Sequence, residues 1–127
     1  MGVTRTRPTL RSIVTVWAPP FALMAVIFVL SAQPDLSTGL GTWDLIGRKL
    51  VHMAEYGLLV FVWWRALRAV APGSRALVLA IVASLAYAAT DELHQSFIHG
   101  RHGTPVDVAI DAVGMAAAAA AIARRRR

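Results

Sequence analysis

The run Asp91-Glu92-Leu93-His94-Gln95 sets two adjacent carboxylates and an imidazole directly after a stretch, Ala76 to Ala89, that contains no charge. Two further groups have comparable chemistry. Lys49, His52, Glu55 and Tyr56 recur at three- and one-residue steps, and Asp107 is followed by Asp111 four residues later. Carboxylates and imidazoles can exchange protons, hold a metal ion or bind a polar ligand. In an apolar environment they are costly: a charge at the centre of a bilayer costs roughly 2.5–3.5 kcal/mol even on insertion scales, so such groups are paired, solvated or functional.

The elements that must position these residues are apolar blocks. The chain has 127 residues, 57% of them hydrophobic and 16% charged. Ile13 to Leu30 carries no charge, Leu50 to Trp64 is interrupted only by His52 and Glu55, Ala76 to Ala89 by nothing, and Val108 to Ala123 only by Asp111. With its flanks each block reaches the ~20 residues that cross a ~30 Å hydrocarbon layer at 1.5 Å per residue. The expected fold is all-α: one domain over 1–127, an integral membrane bundle of four transmembrane helices at about 12–31, 48–67, 75–95 and 105–123. The first block is longer than the h-region of a signal peptide and ends in a poor cleavage site, so it reads as a helix. The chain has no cysteine, which excludes disulfides and thiolate chemistry.

The bases give an orientation. Arg5, Arg7 and Arg11 precede the first block, Arg65, Arg68 and Arg75 lie between the second and third, and Arg124 to Arg127 close the chain, ten of the thirteen Lys and Arg. Short Lys- and Arg-rich segments stay cytoplasmic, so both termini are expected inside (N-in/C-in), with Trp17, Trp63 and Trp64 at the inner interface. Arg48, Lys49 and Arg101 then fall outside. So do all seven acids, Asp35, Asp44, Glu55, Asp91, Glu92, Asp107 and Asp111, and the four histidines, His52, His94, His99 and His102. Three short juxtamembrane arginine groups offer no folded platform for nucleic acid; the terminal arginines read as a topology anchor on anionic lipid.

Helical spacing sets these polar residues in stripes. Lys49, His52, Glu55 and Tyr56 share one face of the second helix, Tyr87, Asp91, His94 and Gln95 one face of the third, and Asp107, Asp111, Gly114 and Ala118 one face of the fourth. Stripes facing lipid are costly, so the three are expected to face one another. Thr104-Pro105-Val106-Asp107 reads as a helix start, with Thr104 as N-cap, Pro105 at N1 and Asp107 at N3. Asp111, one turn deeper, needs a partner across the bundle; Arg101, Lys49 and a protonated His are the candidates. Gly114 and Ala116 to Ala121 suit close helix packing.

Ile27-Phe28-Val29-Leu30-Ser31-Ala32-Gln33-Pro34, Lys49-x-x-His52-x-x-Glu55-Tyr56, Asp91-Glu92-x-His94-Gln95 with Gly100-Arg101, and Asp107-x-x-x-Asp111-x-x-Gly114, in this order, resemble the VanZ-like membrane proteins. The resemblance spans the first helix to the fourth. It implies a small multi-pass protein of the bacterial cytoplasmic membrane, in a family whose namesake is associated with resistance to glycopeptide antibiotics such as teicoplanin. Carried over by position, it implies a polar set of Lys49, His52, Glu55, Tyr56, Asp91, Glu92, His94, Gln95, Arg101, Asp107 and Asp111. Relatives often carry Asn where this chain has Asp111, so a role that needs a neutral amide there is in doubt.

Four uses of the polar set are open at this point. The first is an outward binding pocket for an envelope molecule, a lipid-linked cell-wall precursor or an amphiphilic antibiotic, with Arg101 and Lys49 pairing to phosphate or carboxylate. The second is an integral-membrane enzyme acting on a lipid headgroup or wall precursor, with His52 or His94 as general base and Glu92 or Asp91 as its orienter or as the acid. No resident cofactor is expected, although His52, Glu55, Asp91 and His94 form i, i+3 pairs that could hold a divalent metal. The last is an interhelical network that only fixes the bundle. The lipid bilayer is the expected partner under all four, and transport would require an oligomer.

Overall fold

The computed structural model describes residues 7–33, 38–101 and 103–127. Arg5, Pro34, Asp35 and His102 lie outside the described residues. Four α-helices follow in order: α1 (Leu10–Ser31), α2 (Thr42–Leu67), α3 (Ser74–Gln95) and α4 (Pro105–Arg125), with no strand among the described residues.

Local chemistry sets the helix ends. Thr9 caps α1, its hydroxyl accepting from the Ser12 amide at 3.2 Å. Pro19 and Pro20 lie inside α1. Pro19 has no N–H for the Thr15 carbonyl four residues back, and Arg65 Nη2 of α2 reaches that carbonyl at 3.4 Å. α2 begins six residues earlier than the spacing predicts, because Asp44 in its first turn anchors the preceding loop: its carboxylate accepts from the amides of Thr38 and Leu40 at 3.0 and 3.1 Å and from the Thr38 hydroxyl. Thr104 caps α4 with Pro105 in the first turn, and its hydroxyl donates to Asp107 Oδ2 at 2.8 Å.

Three helices, α1, α3 and α4, are long and apolar enough to cross a membrane. α2 is the longest but falls outside that group, because its N-terminal half carries Asp44, Arg48, Lys49, His52 and Glu55. Apolar side chains cover the outside of the bundle: Phe21, Val26 and Val29 of α1, Leu58 and Phe61 of α2, and Val78, Val82 and Leu85 of α3 are exposed. An outward apolar surface on such helices suits a lipid bilayer.

Burial of apolar surface does little to hold helices together in lipid, so close packing must. α2 and α4 share the most extensive interface and run parallel, as Lys49 meets Asp107 and Gly57 meets Gly114 and Ala118. A Cβ on Gly114 would collide with the backbone of Met53, and one on Gly57 would stand 3.1 Å from the Gly114 carbonyl oxygen. Ile27, Tyr56, Leu59, Val60, Ala80, Ala88, Met115 and Ile122 form the core. At one end Trp63 and Trp64 accompany Arg65 and Arg68, with the Arg68 guanidinium 4.7 Å from the Trp64 ring centre. The opposite end, where α1 and α3 finish and α2 and α4 begin, holds the polar residues.

Candidate functional site

The three polar stripes meet at that end. Lys49 Nζ lies 3.0 Å from Asp107 Oδ1, His52 Nδ1 lies 3.2 Å from Asp111 Oδ1, and the Tyr56 hydroxyl donates to Asp91 Oδ2 at 3.0 Å. These contacts join α2 to α4 and to α3. The partner that Asp111 finds across the bundle is His52.

Adjacent residues on a helix point about 100° apart, and this separates Asp91 from Glu92. Asp91 turns toward α2 and α1: its Oδ2 also receives Gln95 Nε2 at 3.4 Å, and the same amide donates to Ser31 Oγ of α1 at 3.1 Å. Glu92 turns toward the start of α4, where its Oε2 accepts the Thr104 amide at 3.2 Å. The loop between α3 and α4 folds tightly over this point. A Cβ on Gly103 would collide with the Glu92 carbonyl, and Gly100 adopts φ 78°.

Two cavities open at this end. One of about 240 Å³ is lined by Lys49, His52, Glu92, Gln95, Arg101, Asp107 and Asp111, with Leu45, Arg48, Gly100 and Ile110. The other, of about 390 Å³, is lined by Leu30, Trp43 and Val51 together with Ser31, Gln33, Thr38, Asp44, Gly47, Arg48, His52, Glu55 and Arg101. Arg48, His52 and Arg101 border both.

Eight of the eleven sequence-derived residues thus line a cavity. Tyr56, Asp91 and His94 line neither. Tyr56 and Asp91 are buried in the interhelical network, and the His94 ring stacks on Phe28 of α1 with centroids 4.5 Å apart and planes at 11°. Tyr87 leaves the polar stripe as well, since its hydroxyl donates to the Met24 carbonyl of α1 at 2.6 Å. Arg48 and Ser31 were not in the sequence-derived set. Arg48 precedes His52 by one turn, so the spacing that marked Lys49 and His52 could have marked it; Ser31 gave no signal beyond its place in the first motif.

Several buried polar atoms at this end have no hydrogen-bond partner: Asp91 Oδ1, Glu92 Oε1, His94 Nδ1, Arg101 Nε and Asp111 Oδ2. Buried polar groups are normally paired, so each such atom needs an explanation. His52, Glu92 and Asp111 also form a compact donor group, each offering one ligand atom, all within 4.8 Å of one another. This group shares only His52 with the quartet suggested by the i, i+3 spacing. Glu55 faces the larger cavity, while Asp91 and His94 turn toward α2 and α1.

An all-α chain with three membrane-length apolar helices, an apolar exterior and a polar cluster at one end is a membrane protein of the small multi-helix kind. The VanZ/LLP1 family model matches residues 4–125, and the chain belongs to that family. No curated protein and no solved structure matches it.

Proposed function

We propose that this protein binds an amphiphilic envelope molecule with an anionic headgroup, of the lipid-linked cell-wall precursor class, at the extracytoplasmic face of the bacterial cytoplasmic membrane. One observation carries the reading: a polar cavity and a larger, partly apolar cavity share a wall that includes Arg48 and Arg101. A guanidinium suits phosphate through bidentate charge-assisted hydrogen bonds. Arg101 Nε is buried without a partner among the described residues, so a headgroup oxygen would satisfy it. Leu30, Trp43 and Val51 in the larger cavity suit the start of an acyl or prenyl chain.

The orientation belongs to the same proposal. All four helices cross the bilayer, with α2 keeping its charged half inside the bundle, and both termini are cytoplasmic because the arginine groups gather at the end opposite the cavities. Membership of the VanZ/LLP1 family supports a role in the envelope, and the resemblance behind it supports a role in the response to teicoplanin-type antibiotics.

Binding of a lipid-linked pyrophosphate precursor and of teicoplanin to purified protein, measured by native mass spectrometry, tests the reading. The precursor is expected to bind, and Arg101→Ala to weaken it by about tenfold or more, the loss of one charged hydrogen-bonding group. Affinity unchanged in that variant overturns the reading. Teicoplanin binding without precursor binding would move it to the antibiotic.

The His52–Asp111 pair favours one second reading. A carboxylate on Nδ1 is the arrangement that orients an imidazole as a general base, and His52 borders the cavity. In that case His52 would activate water against the bound headgroup, with Glu92 as acid. Turnover of the bound precursor that is abolished by His52→Gln would establish it.

A further inference from the structure

The geometry points to His52, Glu92 and Asp111 as a binding site for a divalent transition-metal ion of the zinc class. The three residues come from three different helices, and their donor atoms lie within 4.8 Å of one another. Donors around a tetrahedral zinc at ~2.0–2.2 Å stand about 3.3–3.6 Å apart, so the group would close on an ion through side-chain adjustments of about 1 Å.

Both carboxylates are buried, at 5% and 0% exposure for Glu92 and Asp111, and each keeps one oxygen without a partner, Oε1 and Oδ2. Their other oxygens are taken by the Thr104 amide and by His52. No lysine or arginine among the described residues forms an ion pair with either one, since Lys49 is engaged with Asp107. Asp111 is paired only with His52 and Glu92 with no cation among the described residues, so two buried carboxylates face at most one positive charge in a low-dielectric bundle. A divalent ion supplies the missing charge and coordinates the orphan oxygens.

The donor set selects the metal. Imidazole nitrogen suits zinc and its first-row neighbours better than the all-oxygen sites preferred by calcium or magnesium. Three protein ligands leave a fourth position, and because all three residues line the 240 Å³ cavity that position faces it. The Thr104 amide on Glu92 acts as the outer contact that orients a ligating carboxylate.

The site shares the cavity proposed for the headgroup but does not rest on amphiphile binding, and its test uses the metal alone. Untagged full-length protein purified in detergent is stripped with chelator, checked for helicity by circular dichroism, and titrated with zinc chloride by calorimetry. One zinc per chain is expected, with affinity lowered about 10-fold or more in Asp111→Asn and in His52→Gln, and with His99→Gln, in the loop, as wild type. Folded wild-type protein that takes up no zinc overturns the proposal. So does Asp111→Asn binding as tightly as wild type, or an equal loss in His99→Gln, which would mark loop binding. Should Asp111→Asn fail to fold, Glu92→Gln carries the same test.

Discussion

Asp91 and Glu92 are covalent neighbours with opposite surroundings. Asp91 is enclosed by Tyr56 of α2 and by Gln95, which in turn holds Ser31 of α1, and it lines neither of the two cavities. Glu92 faces the polar cavity beside His52 and Asp111. Each acid keeps one oxygen unpartnered, Asp91 Oδ1 and Glu92 Oε1, but only Glu92 lines a cavity from which a ligand could reach it. The difference teaches that two carboxylates one residue apart can divide structure from function, because a helix turns adjacent side chains about 100° apart. On one side Tyr56 of α2 and Gln95 of the same helix close around the carboxylate; on the other the Thr104 amide takes one oxygen and the second stands beside a cavity.

The comparison can be broken at its support. Gly114→Val drives a side chain into the Met53 backbone and pushes α4 from α2, where both the His52–Asp111 and Lys49–Asp107 contacts form. A loss of about 3 kcal/mol is expected, at the upper end of overpacking costs, seen as a large fall in thermal midpoint in detergent. Next comes the enclosed side. Asp91→Ala strips the acceptor from the Tyr56 hydroxyl and should cost about 1–3 kcal/mol by leaving a buried donor unsatisfied, whatever ligand is present.

The cavity side is expected to respond in the reverse sense. Asp111→Asn keeps the shape and the acceptor for His52 but removes a buried charge, so thermal stability without ligand should be unchanged or raised, while zinc stabilisation disappears. A fall in midpoint as large as that of Asp91→Ala would erase the distinction between the two sides. The smallest effect is expected at Lys49→Met. That pair is half-exposed, at 36% and 28% for its two side chains, and should contribute less than about 1 kcal/mol.

Much of the architecture was legible because apolar blocks and helical periodicity are local properties. The four helices, the Thr104 cap and the close-packing role of Gly114 follow from residues within a turn or two of one another. The start of α2 did not, because Asp44 stabilises it through the loop at Thr38 and Leu40, which carries no helical pattern. The meeting of three polar stripes was also readable, since lipid penalises the alternatives. Which residues within the stripes meet was less so. Spacing paired His52 with Glu55 and Asp91 with His94, each within one helix, whereas the close donors lie across helices. His94 matches the pattern of a functional imidazole and packs against Phe28 instead.

The sequence by itself determined an all-α chain with membrane-length segments and a polar cluster at one end, because hydropathy and periodicity need no knowledge of neighbours. Only the tertiary structure decided that Asp91 is enclosed while Glu92 joins His52 and Asp111 at a cavity. That choice depends on the rotation of each helix about its axis, which is set where Gly57 and Gly114 let α2 and α4 touch and where Gly103 brings the loop over Glu92. Such contacts between distant residues leave no periodic trace in the chain.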